Sequence, residues 1–85
     1  MEYVVVAFRS RAHTVRFSEY LKRNGIGAEI INTPKEAGVG CGLSVKIPKF
    51  ALAAVKRAVR TADLNSFAGT FLVKNVSGKR IVTLI

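Results

Sequence analysis

Residues 3–8 read Tyr-Val-Val-Val-Ala-Phe, and this run determines the kind of sheet that the chain can form. Six consecutive apolar residues are typical of a strand that is buried on both faces. A membrane-spanning helix needs about 20 such residues, so this run is too short to cross a bilayer. We therefore expect a central β-strand that is covered by helices or by a partner.

A helix is predicted directly after this strand. Ser10 is a good N-cap residue, and Asn24-Gly25 is a typical helix end, because glycine adopts the left-handed conformation at little cost. Between them, apolar and small residues recur at helical spacing and alternate with charged residues on the opposite side. The inward stripe consists of Ser10, His13, Thr14, Phe17, Tyr20, Leu21 and Asn24.

The rest of the chain predicts a second helix and four more strands. The strands are predicted at residues 28–32, 43–47, 70–76 and 80–85, and the helix begins at Pro48. The order is strand, helix, strand, strand, helix, strand, strand. This order predicts one α+β domain over residues 1–85, a ferredoxin-like split βαβ fold (βαββαβ) with an extra C-terminal strand. That last strand is expected either to lengthen the sheet edge or to pair with a second copy in a homodimer.

The charge balance is strongly basic, with 14 Lys and Arg against 5 Asp and Glu. A net charge of +9 favours contact with anions, such as nucleic acid, an acidic partner or a phosphorylated ligand. The alternative is a soluble surface that is basic without a dedicated ligand. The single cysteine cannot form an internal disulfide, and no signal peptide is recognisable, so we expect a cytoplasmic protein with no membrane contact.

The predicted topology brings the loop of residues 33–42 to the same end of the domain as the start of the first helix. The only cysteine, Cys41, and the only histidine, His13, should therefore lie near each other. Gly40 and Gly42 let backbone amides approach the sulfur, and the helix N-terminus and Lys35 favour the thiolate, which is the reactive form. One cysteine and one histidine are too few for a closed zinc site, so no metal is expected.

Other interpretations of these residues remain open. A single cysteine is often a small buried hydrophobic residue, and a histidine on a helix stripe often serves packing or capping. The glycines can shape the loop or cradle a phosphate, although they match neither a Walker loop nor a dinucleotide fingerprint.

Four segments together resemble the selenium/sulfur carrier protein-like family of small bacterial domains. They are Ser10 with His13, Gly25-Ile26, Ile31-x-Thr33-Pro34-Lys35-Glu36 and Gly40-Cys41-Gly42-Leu43. The resemblance covers about residues 3–60. It implies that Cys41 is the carrier residue and that His13 is the family's histidine at the helix start. Lys35 departs from the family pattern, which commonly has arginine there, so the charge is kept without the bidentate fork.

The leading hypothesis is a carrier in which Cys41 accepts sulfur or selenium as a persulfide or selenosulfide and passes it on. Its partners would be donor and acceptor proteins, it needs no cofactor, and it is a carrier or binding protein rather than a true enzyme. Ser10, Thr33, Pro34, Lys35, Gly40 and Gly42 would form the binding site around the thiol.

Two alternatives involve no chemistry. One is a basic ferredoxin-like binding module for nucleic acid phosphates or a small anionic ligand. Its nucleic acid contact would be weak and non-specific, because the central strands offer only Tyr3 and Phe8 for base stacking. The other is a regulatory or oligomerisation domain of the same fold.

Overall fold

Five strands and two α-helices make up the part of the chain that the computed structural model describes, residues 1–39 and 41–85. The elements in chain order are β1 (Glu2–Phe8), α1 (Arg11–Arg23), β2 (Glu29–Asn32), β3 (Leu43–Ile47), α2 (Leu52–Ala62), β4 (Phe67–Val76) and β5 (Lys79–Leu84). Short 3₁₀ turns lie at Lys35–Ala37 and Lys49–Ala51. The order of strands and helices predicted from the sequence is confirmed.

The strands form one antiparallel sheet in the order β2-β3-β1-β4-β5. The apolar strand β1 lies in the centre, paired with β3 on one side and β4 on the other, as its composition predicts. Strand β5 pairs with β4 and lengthens the sheet at one edge, which was one of the two outcomes expected for it.

Two boundaries differ from the prediction. Strand β4 begins at Phe67, three residues early, because Phe67 pairs with Phe8 across an irregularity that follows Ala7 in β1. The second helix opens with the 3₁₀ turn Lys49–Ala51 after Pro48, and regular α-helix begins at Leu52. No helix in the described ranges is long and apolar enough to cross a membrane.

Both helices pack on one face of the sheet, where they bury the main core. This core includes Val4, Val6 and Phe8 of β1, with Phe17, Leu21, Val45, Ile47 and Val55. Burial of such a side chain contributes about 1.5–3 kcal/mol relative to exposure. The Phe8 ring packs between Phe17 and Phe67, with ring centroids 5.2 and 5.9 Å away. Phe8 is therefore a core residue and is not offered for base stacking.

The second face of the sheet is covered by the β2–β3 connection. Side chains alternate between faces along a strand, so Val5, Ala7, Phe71 and Val73 point away from the helices, yet all four are buried. The 3₁₀ turn Lys35–Ala37 contacts β5, at the opposite edge of the sheet from β2. The connection therefore crosses this face and covers these four residues.

An ion pair fixes the far end of this crossing. Arg80 Nε donates a bifurcated hydrogen bond to the two carboxylate oxygens of Glu36, at 3.1 and 3.2 Å, and Arg80 Nη2 lies 2.8 Å from Oε1. This bidentate arrangement links two residues that are 44 positions apart in the chain. The β2–β3 connection is consequently anchored at both edges of the sheet, and Cys41 lies where it returns to β3.

Candidate functional site

Three connections of the chain meet at one end of the sheet. Strand β1 runs toward this end and β4 runs away from it, so residues 9–10 and 63–66 lie there, together with the two ends of the β2–β3 connection at Thr33 and Cys41. The contacts confirm this: the Arg9 amide donates to Ser66 O at 2.8 Å, and the Cys41 amide donates to Phe8 O at 3.1 Å. The end of β1, the start of α1 and the thiol-bearing loop therefore form one continuous surface.

The Cys41 thiol is half-buried at the start of α1. Its sulfur lies 3.6 Å from the Leu43 carbonyl oxygen and 3.8 Å from Thr14 Oγ1. A carbonyl oxygen only accepts hydrogen bonds, so Leu43 pairs with the protonated thiol. The Thr14 hydroxyl can accept from the thiol or donate to a thiolate. Of these two groups, therefore, only Thr14 can form a hydrogen bond both with the thiol and with the thiolate.

The site role of Thr14 escaped the sequence interpretation, which placed it only on the inward stripe of the helix. Its side chain is fully buried, and its hydroxyl donates to Ser10 O at 3.1 Å. The same carbonyl accepts the Thr14 amide at 3.1 Å, which is the first regular hydrogen bond of the helix. One sequence signal could have identified this role. Thr14 places a hydroxyl on the inward stripe in the first helical turn, at the end of the domain where the topology places the thiol.

His13 is held by Ser66, which comes from the α2–β4 connection. His13 Nδ1 lies 2.6 Å from Ser66 Oγ, and the Ser10 amide donates to the same oxygen at 3.3 Å. Ser10 caps the helix as predicted, since its hydroxyl accepts the His13 amide at 3.2 Å. Cys41 and His13 thus share one end of the domain, but Nδ1 pairs with Ser66 and the adjacent Thr14 contacts the sulfur.

The remaining predicted site residues shape the loop. Thr33 donates its amide to Gly42 O at 2.9 Å, and its hydroxyl lies 2.6 Å from Ser44 Oγ, so it continues the β2–β3 pairing. Pro34 is buried, whereas Lys35 is exposed in the 3₁₀ turn. Gly42 has a φ of +97°, a conformation that favours glycine. Gly40 lies outside the described residues.

A family model described as "Putative Se/S carrier protein-like" matches residues 3–66. The chain belongs to this family. The match runs from β1 to the last residue before β4, so it includes Cys41, Thr14 and His13 and ends at Ser66. No curated protein and no solved structure matches the chain.

The start of α1, which adjoins the thiol of this Se/S carrier protein-like chain, is positive. Exposed Arg9 and Arg11 flank the N-cap, and the first turn of α1 contains no acidic residue. The free amides of a helix N-terminus add partial positive charge at the same place. Within the described ranges, no three His, Cys, Asp or Glu side chains cluster closely enough to hold a metal ion.

Proposed function

We propose that the chain carries sulfur or selenium on Cys41, as a persulfide or selenosulfide, between a donor protein and an acceptor protein. The observation that carries this proposal is the half-buried thiol placed against the first turn of α1, in a chain of the Se/S carrier protein-like family. A carrier needs an accessible thiol on a stable scaffold, and it needs no general-base triad.

The proposed transfer is a thiol exchange. The Cys41 thiolate attacks the outer sulfur of a donor persulfide, the S–S bond of the donor breaks, and the donor leaves as a thiolate. The new S–S bond leaves a persulfide on Cys41, and the transferred sulfur keeps its oxidation state, so no oxidant is required. Selenium moves in the same way from a donor perselenide, and attack by an acceptor thiolate reverses the process.

The surroundings of the sulfur support this chemistry. The thiolate is the attacking form, and Thr14 Oγ1 at 3.8 Å can turn its hydrogen toward it. A persulfide or selenosulfide is an anion when ionised, and the α1 N-terminus with Arg9 and Arg11 supplies positive charge beside it. We assign His13, whose ring is held by Ser66, as a further hydrogen-bond donor or as a proton carrier at this end of the domain.

The fold that we infer for this carrier is the ferredoxin-like split βαβ with an added strand. The first six elements have the order βαββαβ, and their strands lie in the order β2-β3-β1-β4, which supports the assignment. Single-strand RNA readers of related architecture stack bases on the face away from the helices. In this chain the β2–β3 connection covers that face, which favours the carrier over a base-stacking module.

Intact mass spectrometry tests the proposal directly. The reduced protein is incubated with a cysteine desulfurase and its substrate, and then with a selenium donor in a separate reaction. We expect one sulfur or one selenium atom to be added to the native chain and removed again by reductant. The carrier function would be contradicted if, at donor excess, the native protein gained no mass or gained the same mass as Cys41→Ser.

A matched pair of variants separates the thiol from its surroundings. His13→Ala and Ser66→Ala each remove one side of the same hydrogen bond, 2.6 Å long, so both should slow loading to a similar degree. Neither should abolish it, since Cys41 remains. Helix content is measured by circular dichroism, and a loss of helix content in either variant identifies a capping defect instead.

A further inference from the structure

Strand β5 forms an outer edge of the sheet, and among residues 1–39 and 41–85 no group accepts from or donates to its outward backbone groups. We propose that the chain forms a symmetric dimer in which β5 pairs antiparallel with β5 of a second copy, with Val82 opposite Val82. This inference is independent of the carrier function, because it concerns the edge strand and not the thiol.

The hydrogen-bond phase of β4 and β5 determines which groups face outward. The Ile85 amide donates to Thr70 O at 2.8 Å, so this pair is hydrogen-bonded. Bonded pairs recur at every second residue of an antiparallel ladder, and the observed register places the next ones at Thr83 and Ile81. The amide and carbonyl groups of Arg80, Val82 and Leu84 therefore point away from β4.

These outward groups allow a self-complementary register. If Val82 lies on the twofold axis, Arg80 of each copy lies opposite Leu84 of the other, and every outward group finds a partner. The pairing then supplies about six new backbone hydrogen bonds. Lys79 lies opposite Ile85 and Arg80 opposite Leu84, so no like charges face each other across the strands.

The side chains on β5 also fit a second copy. Ile81 and Leu84 are 47% and 68% exposed, on opposite faces of the strand. In the proposed register, Leu84 packs on the partner's Arg80, whose guanidinium is already fixed by Glu36. Ile81 lies opposite Thr83 of the second copy. After Lys79 and Arg80 the strand has no further lysine and no proline, the residues that usually protect an edge.

The other edge of the sheet is less suited to this role. Strand β2 has only four residues, and the Thr33–Gly42 hydrogen bond fixes its phase, so that Ile30 and Asn32 are its outward residues. It offers two outward residues against the three of β5. A twofold contact through β5 also closes on itself, which gives a dimer and not a filament.

Sedimentation velocity over micromolar to millimolar protein concentrations tests the proposal at low ionic strength. The native chain is expected to change from monomer to dimer as its concentration rises. Leu84→Lys and Leu84→Glu remove the same apolar contact but place opposite charges across from the partner's Arg80. We expect Leu84→Lys to weaken the dimer at least tenfold more than Leu84→Glu, because each cross-strand pair occurs twice.

Two further variants separate the edge from the fold and from the thiol. Val82→Pro removes an outward amide that β4 does not use, so it should abolish the dimer while circular dichroism stays native. Cys41→Ser should dimerise like the native chain. A native chain that remains monomeric throughout, or equal dimer constants for Leu84→Lys and Leu84→Glu, overturns the proposal.

Discussion

Replacement of Thr14 by valine tests whether its hydroxyl supports the thiolate of Cys41. Valine has nearly the same shape, so it removes the hydroxyl without opening a cavity. The Ser10 carbonyl remains bonded to the residue 14 amide, so no buried acceptor is left without a partner. We therefore expect the free energy of unfolding to change by about 1 kcal/mol at most.

The effect on the thiol follows from the competition between two acceptors. A hydrogen bond to a charged group contributes about 1.5–3 kcal/mol, whereas the bond to Ser10 O that Thr14 gives up contributes about 1 kcal/mol. The 3.8 Å distance to sulfur places the gain at the lower end of that range. The hydroxyl therefore stabilises the thiolate by a net free energy of about 0.5–1 kcal/mol. Its loss in Thr14→Val should make alkylation about two- to fivefold slower.

The assay is the second-order rate of alkylation by iodoacetamide, measured at several pH values where most of the thiol is protonated. Thr14→Ser is the matched control, because it keeps the hydroxyl and loses only a buried methyl group. It should unfold more readily than the native chain yet react at the native rate. Equal rates for Thr14→Val and Thr14→Ser would refute the proposed role of the hydroxyl.

Three more predictions follow from the loop and the surface charge. Gly42→Ala should destabilise the fold by about 1 kcal/mol or more in thermal denaturation, because its φ is +97°, whereas Gly27→Ala, at an open position outside the left-handed region, should cost far less. The hydrogen bond from Arg80 lowers the pKa of Glu36 in the folded chain. The ionised carboxylate therefore stabilises the fold fully above the unfolded-state pKa of about 4.3, and this stabilisation is lost as the pH falls through the lower folded-state pKa. Glu36→Gln should therefore reduce the acid-side loss of stability in urea unfolding, and an unchanged pH profile would contradict this. Nucleic acid binding, measured by fluorescence anisotropy with several oligomers, should be weak, insensitive to sequence and steeply salt-dependent; a sequence-selective complex at physiological salt would contradict this.

The sequence predicted the order of elements because local patterns control it. The apolar run of β1, the alternation in β3 and the Ser10 cap each act within a few residues, and all three were located correctly. The early start of β4 depends on the pairing of Phe67 with Phe8, 59 positions earlier in the chain. No local pattern contains that information, so the boundary was misplaced.

The candidate site shows the same division between local and long-range information. The position of Cys41 beside the start of α1 follows from the direction of each element, and the contact with Thr14 agrees with it. Ser66 was missed because it lies 53 positions from His13, in a connector without a distinctive pattern. The topology nevertheless contained a signal, since the α2–β4 connection must return to the same end of the sheet.

The crossing of the β2–β3 connection determines how a partner can reach the thiol. Its far end is tied to β5 through Glu36 and Arg80, and at its near end the Cys41 amide is bonded to Phe8 O. The second face of the sheet is covered between these two anchors, and the sulfur contacts Thr14 in the first turn of α1, so we propose the N-terminus of α1 as the route by which a partner reaches the thiol. Arg9 and Arg11 are exposed on that route, and a donor or acceptor that presents negative charge there is attracted before any covalent contact forms. The basic surface and the single thiol are therefore two parts of one proposed mechanism, and reversal of charge at these arginines should slow loading without changing the reactivity of Cys41 toward a small neutral alkylating agent.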